Sequence, residues 1–233
     1  MTLYCGTSGY QYKFWRGGLY SEGCKEADML AEYGRKLPTV EINNTFYRMP
    51  KRDVVESWAA QVPQGFRFVI KASRRITHQK RLKDCAEPLG FLFRSLDALG
   101  AQLGAVLFQL PPYMRKDRER LASFLGELPS GVRASLEFRH KSWFEDEIFA
   151  LLREHDAALC ISDQGEGEEA TPPVSTASWG YLRLRRDAYD EEELSEQAHQ
   201  IAAQAWSDAF AFFKHEETAP AMAARLMQLN ERA

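Results

Sequence analysis

The stretch Ser135-Leu136-Glu137-Phe138-Arg139-His140-Lys141-Ser142-Trp143 brings a carboxylate, a guanidinium, an imidazole, an ammonium and an indole together. Alternation places Leu136 and Phe138 on one face of a strand and Glu137 and Arg139 on the other, before a loop carrying His140 and Trp143. Four further strand-like segments carry a polar residue opposite an apolar face. Glu41 and Asn43 oppose Val40 and Ile42, and Lys71 opposes Phe68 and Ile70. Gln109 opposes Val106 and Phe108, and Arg183 with Arg185 opposes Leu182 and Leu184. Glu41 and Glu137 are a candidate carboxylate pair for acid/base or glycoside-type chemistry, depending on their separation. His140 is a third catalytic candidate. Lys71, Arg139, Arg183, Arg185 and Lys214 would make a positive mouth that suits a phosphate or carboxylate. Asn43, Tyr47, His78, Gln109 and Trp143 complete the candidate ligand-binding set. The same polar groups also fit a buried, mutually paired layer, and the two readings are compatible.

These residues need a scaffold that gathers strand ends. The chain reads as eight strands, near 3–7, 39–43, 66–72, 105–110, 135–139, 158–162, 179–184 and 209–213. Helical spacing appears near 27–36, 52–60, 88–99, 117–128, 146–154, 191–204 and 220–230. Pro38, the Pro63-Gln64-Gly65 turn, Pro111-Pro112 and Pro129-Ser130-Gly131 punctuate the pattern. The segment 163–173, acidic and glycine-bearing, reads as a long mobile loop with little helix. Alternating strands and helices without a linker predict an α/β chain forming a single TIM-like (β/α)8 barrel over residues 1–233. In that architecture ligand chemistry sits at the C-terminal ends of the strands.

Composition agrees. The chain has 233 residues, 45% hydrophobic and 27% charged, with a net charge of −3. That balance is of an ordinary globule and disfavours wholesale nucleic-acid binding. No apolar run is long enough to span a bilayer and no signal-like leader precedes the first strand, so a cytoplasmic location is expected. The scattered Cys5, Cys24, Cys85 and Cys160 form no CxxC pair and read as reduced thiols. His78, His140, Asp163, His215 and Glu216 fall near strand ends, so a divalent metal is conceivable, but no HxH or HExxH spacing supports one. There is no P-loop and no GxGxxG after a strand. Tyr10, Tyr12, Trp15, Phe46, Tyr47, Tyr113 and Trp143 would ring the mouth, to stack on a ligand or to pack the loops.

Several stretches resemble one family in order along the chain. They are Gly6-Thr7-Ser8-Gly9-Tyr10 with Trp15-Arg16-Gly17, Val40 to Arg48, Phe66 to Lys71, Thr77-His78, Gln109-Leu110-Pro111-Pro112, and Leu136 to His140 with Ser142-Trp143. The family is the one catalogued as domain of unknown function 72, the YecE-like barrels. The resemblance implies a TIM-like barrel and supplies no activity. Where that family often ends strand seven in Arg-x-His-Gly, this chain has Arg183-Leu184-Arg185-Arg186, and Tyr10 stands where Trp is common. The expectation is an enzyme, a hydrolase or isomerase acting on a small anionic ligand. The alternatives are a non-catalytic nucleic-acid binder and a metal-dependent phosphodiesterase acting on nucleic acid.

Overall fold

Each strand pairs in parallel with its successor, and the last closes onto the first. The structure is a computed structural model that describes residues 1–163, 171–214 and 216–232. The strands are β1 (Thr2–Ser8), β2 (Thr39–Ile42), β3 (Arg67–Lys71), β4 (Leu103–Gln109), β5 (Ala134–Glu137), β6 (Ala158–Asp163), β7 (Gly180–Leu184) and β8 (Asp208–Phe213). Around them run α1 (Met29–Gly34), α2 (Arg52–Gln61), α3 (Ala86–Leu96), α4 (Arg118–Gly126), α5 (Asp146–Glu154), α6 (Glu191–Ala202) and α7 (Ala219–Asn230). This is the expected (β/α)8 arrangement, with one gap. Among the described residues no helix lies between β6 and β7. Residues 164–170 lie outside the described set, and with them most of the segment expected to be a mobile loop.

Alternation along each strand sorts the core into two compartments. Val40, Ile42, Phe68, Ile70, Val106, Phe108, Leu136, Phe138, Leu182 and Leu184 join the layer beneath the helices. Val69, Ala105, Leu107, Cys160, Trp179, Tyr181, Phe210 and Phe212 fill the barrel interior. Large aromatics block its lower half: Phe210 stacks on Tyr4 with centroids 5.1 Å apart, and Trp179 meets Phe210 edge-on at 6.1 Å. β1 and β2 approach closely at Gly6, where a Cβ would sit 2.1 Å from the Thr39 carbonyl oxygen.

Element ends differ from the sequence expectation where local structure is irregular. The basic segment after β3, expected as a loop, coils into a π-helical turn over Arg75–Gln79. The helix expected to reach Leu99 ends at Leu96 and tightens into a 3-10 stretch over Asp97–Gln102, broken at Gly100 (φ 50°). Asp190 caps α6 through a reciprocal box with Glu193, which gives that helix its sharp start.

Candidate functional site

The interior parity that leaves Val69 and Leu107 in the barrel core brings Glu41, Lys71, Gln109, Glu137 and Arg183 to its upper end. Arg183 ties the layer together. Its Nη2 donates to Glu41 Oε1 at 2.9 Å and its Nη1 to Glu137 Oε2 at 2.7 Å. Other donors reach the same two carboxylates. Glu41 accepts from Ser8 Oγ at 2.9 Å, Asn43 Nδ2 at 3.0 Å and Tyr181 Oη at 2.6 Å. Glu137 accepts from Gln109 Nε2 at 2.8 Å and Arg139 Nε at 3.1 Å. Both glutamates are fully buried. Burial alone would raise their pKa values, but Arg183 and the other donors more than offset it. Glu137 is held down to about 2, and Glu41 is also lowered.

Above this layer opens a cleft of about 550 Å³ lined by Ser8, Tyr12, Asn43, Phe46, Tyr47, Lys71, His78, Gln109, Arg139, Arg183, Arg185 and Lys214. Its cations differ in how they are held. Lys214 Nζ is paired with Asp187 at 2.7 Å and Glu216 at 3.1 Å. Arg139 is paired with Glu137. Half-buried Lys71 lies with Nζ 4.6 Å from the centre of the Phe46 ring and makes no hydrogen bond among the described residues. Burial first, then the neighbouring Arg183, brings its pKa down to about 8, although Glu41 and Glu137 act in the opposite direction. The Arg185 guanidinium likewise makes no hydrogen bond among the described residues, and burial and Arg183 lower its pKa. His78 is lowered by burial and by Lys71, which favours neutral imidazole; its Nδ1 lies 2.9 Å from Thr77 Oγ1.

Of the residues expected at the site, Asn43, Tyr47, Lys71, His78, Gln109, Arg139, Arg183 and Lys214 line the cleft, and Glu41 and Glu137 lie in its floor. The structure places two of the expected residues outside the cleft lining. Trp143 is fully buried: it stacks on Phe138 with centroids 4.6 Å apart and donates to the Met114 carbonyl at 2.7 Å, so its indole packs the loop after β5. His140 is not among the cleft-lining residues. Its Nδ1 accepts from the Ser142 amide at 3.1 Å and caps the short turn Lys141–Trp143. Of the proposed rim aromatics, Trp15 is buried. Ser8 and Tyr181 were not anticipated, yet Tyr181 stands two residues before Arg183 on the same interior face, so parity could have found it.

Among the described residues, no group of three or more His, Cys, Asp or Glu is placed to hold a metal ion; His215 lies outside them. No helix among them is long and apolar enough to cross a membrane.

Comparison with known proteins agrees with the architecture. The chain is 33% identical over 116 residues to UPF0759 protein YecE of Escherichia coli K12, covering 49% of this chain and 43% of that protein. It is 25% identical over 193 residues to UPF0759 protein YunF of Bacillus subtilis, covering 76% of this chain and 66% of that one. The aligned stretches thus span less than two thirds of each relative. A crystal structure of a DUF72 family protein from Thermotoga maritima superposes with a TM-score of 0.82 at 24% identity, covering 100% of this chain and 99% of that one. One from Enterococcus faecalis gives 0.77 at 20% identity, covering 99% and 94%. The sequence profile described as "Protein of unknown function DUF72" matches residues 4–233, and the chain belongs to that family.

Proposed function

We propose that the cleft is the active site of an enzyme, of hydrolase or isomerase type, that binds a phosphorylated or carboxylated small molecule. The observation that carries this reading is the pair of partly buried cations, Lys71 and Arg185, whose side chains make no hydrogen bond among the described residues. Buried charge is costly unless paired, and an anionic ligand supplies the missing partner. Arg139 and Lys214 add charge on either side. A cleft of about 550 Å³ is of small-molecule size.

Glu41 and Glu137, with their oxygens engaged and their pKa values lowered, serve as fixed counter-charges that aim Arg183. Proton transfer falls instead to Lys71, whose pKa of about 8 lies near the working range of a general base, with neutral His78 beside it.

Thermal melting in inorganic phosphate tests the binding. Wild-type protein should gain stability with phosphate concentration, by about 2.7 kcal/mol at 100 times the dissociation constant. The gain should shrink sharply in Arg185→Met. Equal gains in both proteins, or none in wild type, would defeat the reading.

A further inference from the structure

We propose that Lys71 captures carbonyl compounds covalently: it forms an imine with an aldehyde or ketone that also carries a phosphate or carboxylate. The proposal rests on the anionic-ligand reading of the cleft and names its substrate class.

Four features of the site support it. Lys71 ends β3 on the interior face, and its side chain lines the cleft. Among the described residues its Nζ has no hydrogen bond to surrender, whereas Lys214 is tied to Asp187 and Glu216. The nearby guanidiniums of Arg183 and Arg139 disfavour a further positive charge, and with Arg185 they offer partners for the anionic end of the substrate. The Phe46 face, 4.6 Å from Nζ, can stabilise a cationic iminium as it does the ammonium. A desolvated lysine beside other cations is the usual environment of an activated amine. With a pKa of about 8, Lys71 is neutral in roughly one molecule in ten at pH 7, against roughly one in a few thousand for an ordinary lysine.

The step balances without any redox partner. The neutral Nζ lone pair attacks the carbonyl carbon, and the π pair moves to oxygen. One proton passes from nitrogen to that oxygen to give the carbinolamine. A second proton, from solvent, lets the hydroxyl leave as water, and the C=N⁺ iminium remains. His78, whose Nε2 makes no hydrogen bond among the described residues, lines the same cleft and can relay these protons.

The test is borohydride trapping of the wild-type chain at pH 7, with adducts mapped by peptide mass spectrometry. The probes are glyceraldehyde 3-phosphate and, in parallel, uncharged propionaldehyde. The expected result is one reduced adduct on Lys71, exceeding that on any surface lysine such as Lys51 or Lys141 by at least about ten-fold. It should be suppressed by excess inorganic phosphate and weaker with propionaldehyde. Adducts spread over surface lysines would overturn the proposal, and so would equal capture of the two aldehydes. The phosphate melting experiment separates the two failures. Phosphate stabilisation without trapping defeats the imine alone; absence of both defeats the anion site as well.

Discussion

Lys71 and Glu137 lie in the same polar layer with opposite energetic signs. Lys71 is a cation whose pKa is depressed to about 8, so its protonated form carries a penalty in the folded state. Between that value and roughly 10.4 the unfolded chain binds more protons, and stability should rise with pH across this window. Lys71→Met should therefore stabilise the protein at pH 7, by about 1–3 kcal/mol, and flatten that rise. Chemical denaturation at several pH values checks both. Glu137 is the reverse case. With a folded pKa of about 2, its contribution is present above the ordinary carboxylate range near 4.3 and is lost as pH falls toward 2. Glu137→Gln removes one of the two carboxylates that Arg183 bridges and should cost about 3–5 kcal/mol. A melting temperature within a few degrees of wild type would return Glu137 to the list of acid/base candidates.

Among elements, β5 and the loop after it divide the labour within one short stretch. Glu137 and Arg139 face the barrel interior, while Phe138 and Trp143 stack at 4.6 Å on the outside of the sheet. Trp143→Ala should cost about 3–5 kcal/mol through the cavity it leaves. Phosphate should still stabilise whatever folds, because the indole is not part of the cleft. Loss of phosphate response at temperatures where the variant remains folded would contradict this assignment. The contact of β1 with β2 is a second sensitive place. Gly6→Ala sets a Cβ against the Thr39 carbonyl and should destabilise by about 3 kcal/mol, measurable by thermal melting.

For the whole molecule, the chain carries a net charge of −3 while its mouth gathers Lys71, Arg139, Arg183, Arg185 and Lys214 over two buried carboxylates. An acidic body with a confined positive mouth favours a small anion over a polyanion that tracks many surface cations. Added chloride should weaken phosphate binding only modestly. A dissociation constant for single-stranded oligonucleotide that rises steeply with salt, across several phosphates' worth of counterion release, would favour the nucleic-acid reading instead.

The amino-acid sequence by itself determined the barrel and the identity of its polar layer. Period-two alternation on β2, β3, β4, β5 and β7 is a local property, and it assigns Glu41, Lys71, Gln109, Glu137 and Arg183 to one face without any knowledge of the fold. Family membership was legible for the same reason, since its motifs lie on those strand ends. Tertiary structure decided what each group faces. Glu41 and Arg183 lie 142 residues apart, and their hydrogen bond follows from barrel closure. Only closure revealed that both carboxylates are engaged by Arg183 and its neighbours, that the Lys71 and Arg185 side chains make no hydrogen bond among the described residues, and that Tyr181 belongs to the layer. Loop residues escaped sequence reasoning most. His140 and Trp143 have no periodicity to orient them; local capping engages His140 with Ser142, and stacking buries Trp143 against Phe138. Strand parity is dictated by backbone geometry, residue by residue. Charge pairing and side-chain burial depend on the sum of contacts from distant segments, and those exist only once the sheet is closed.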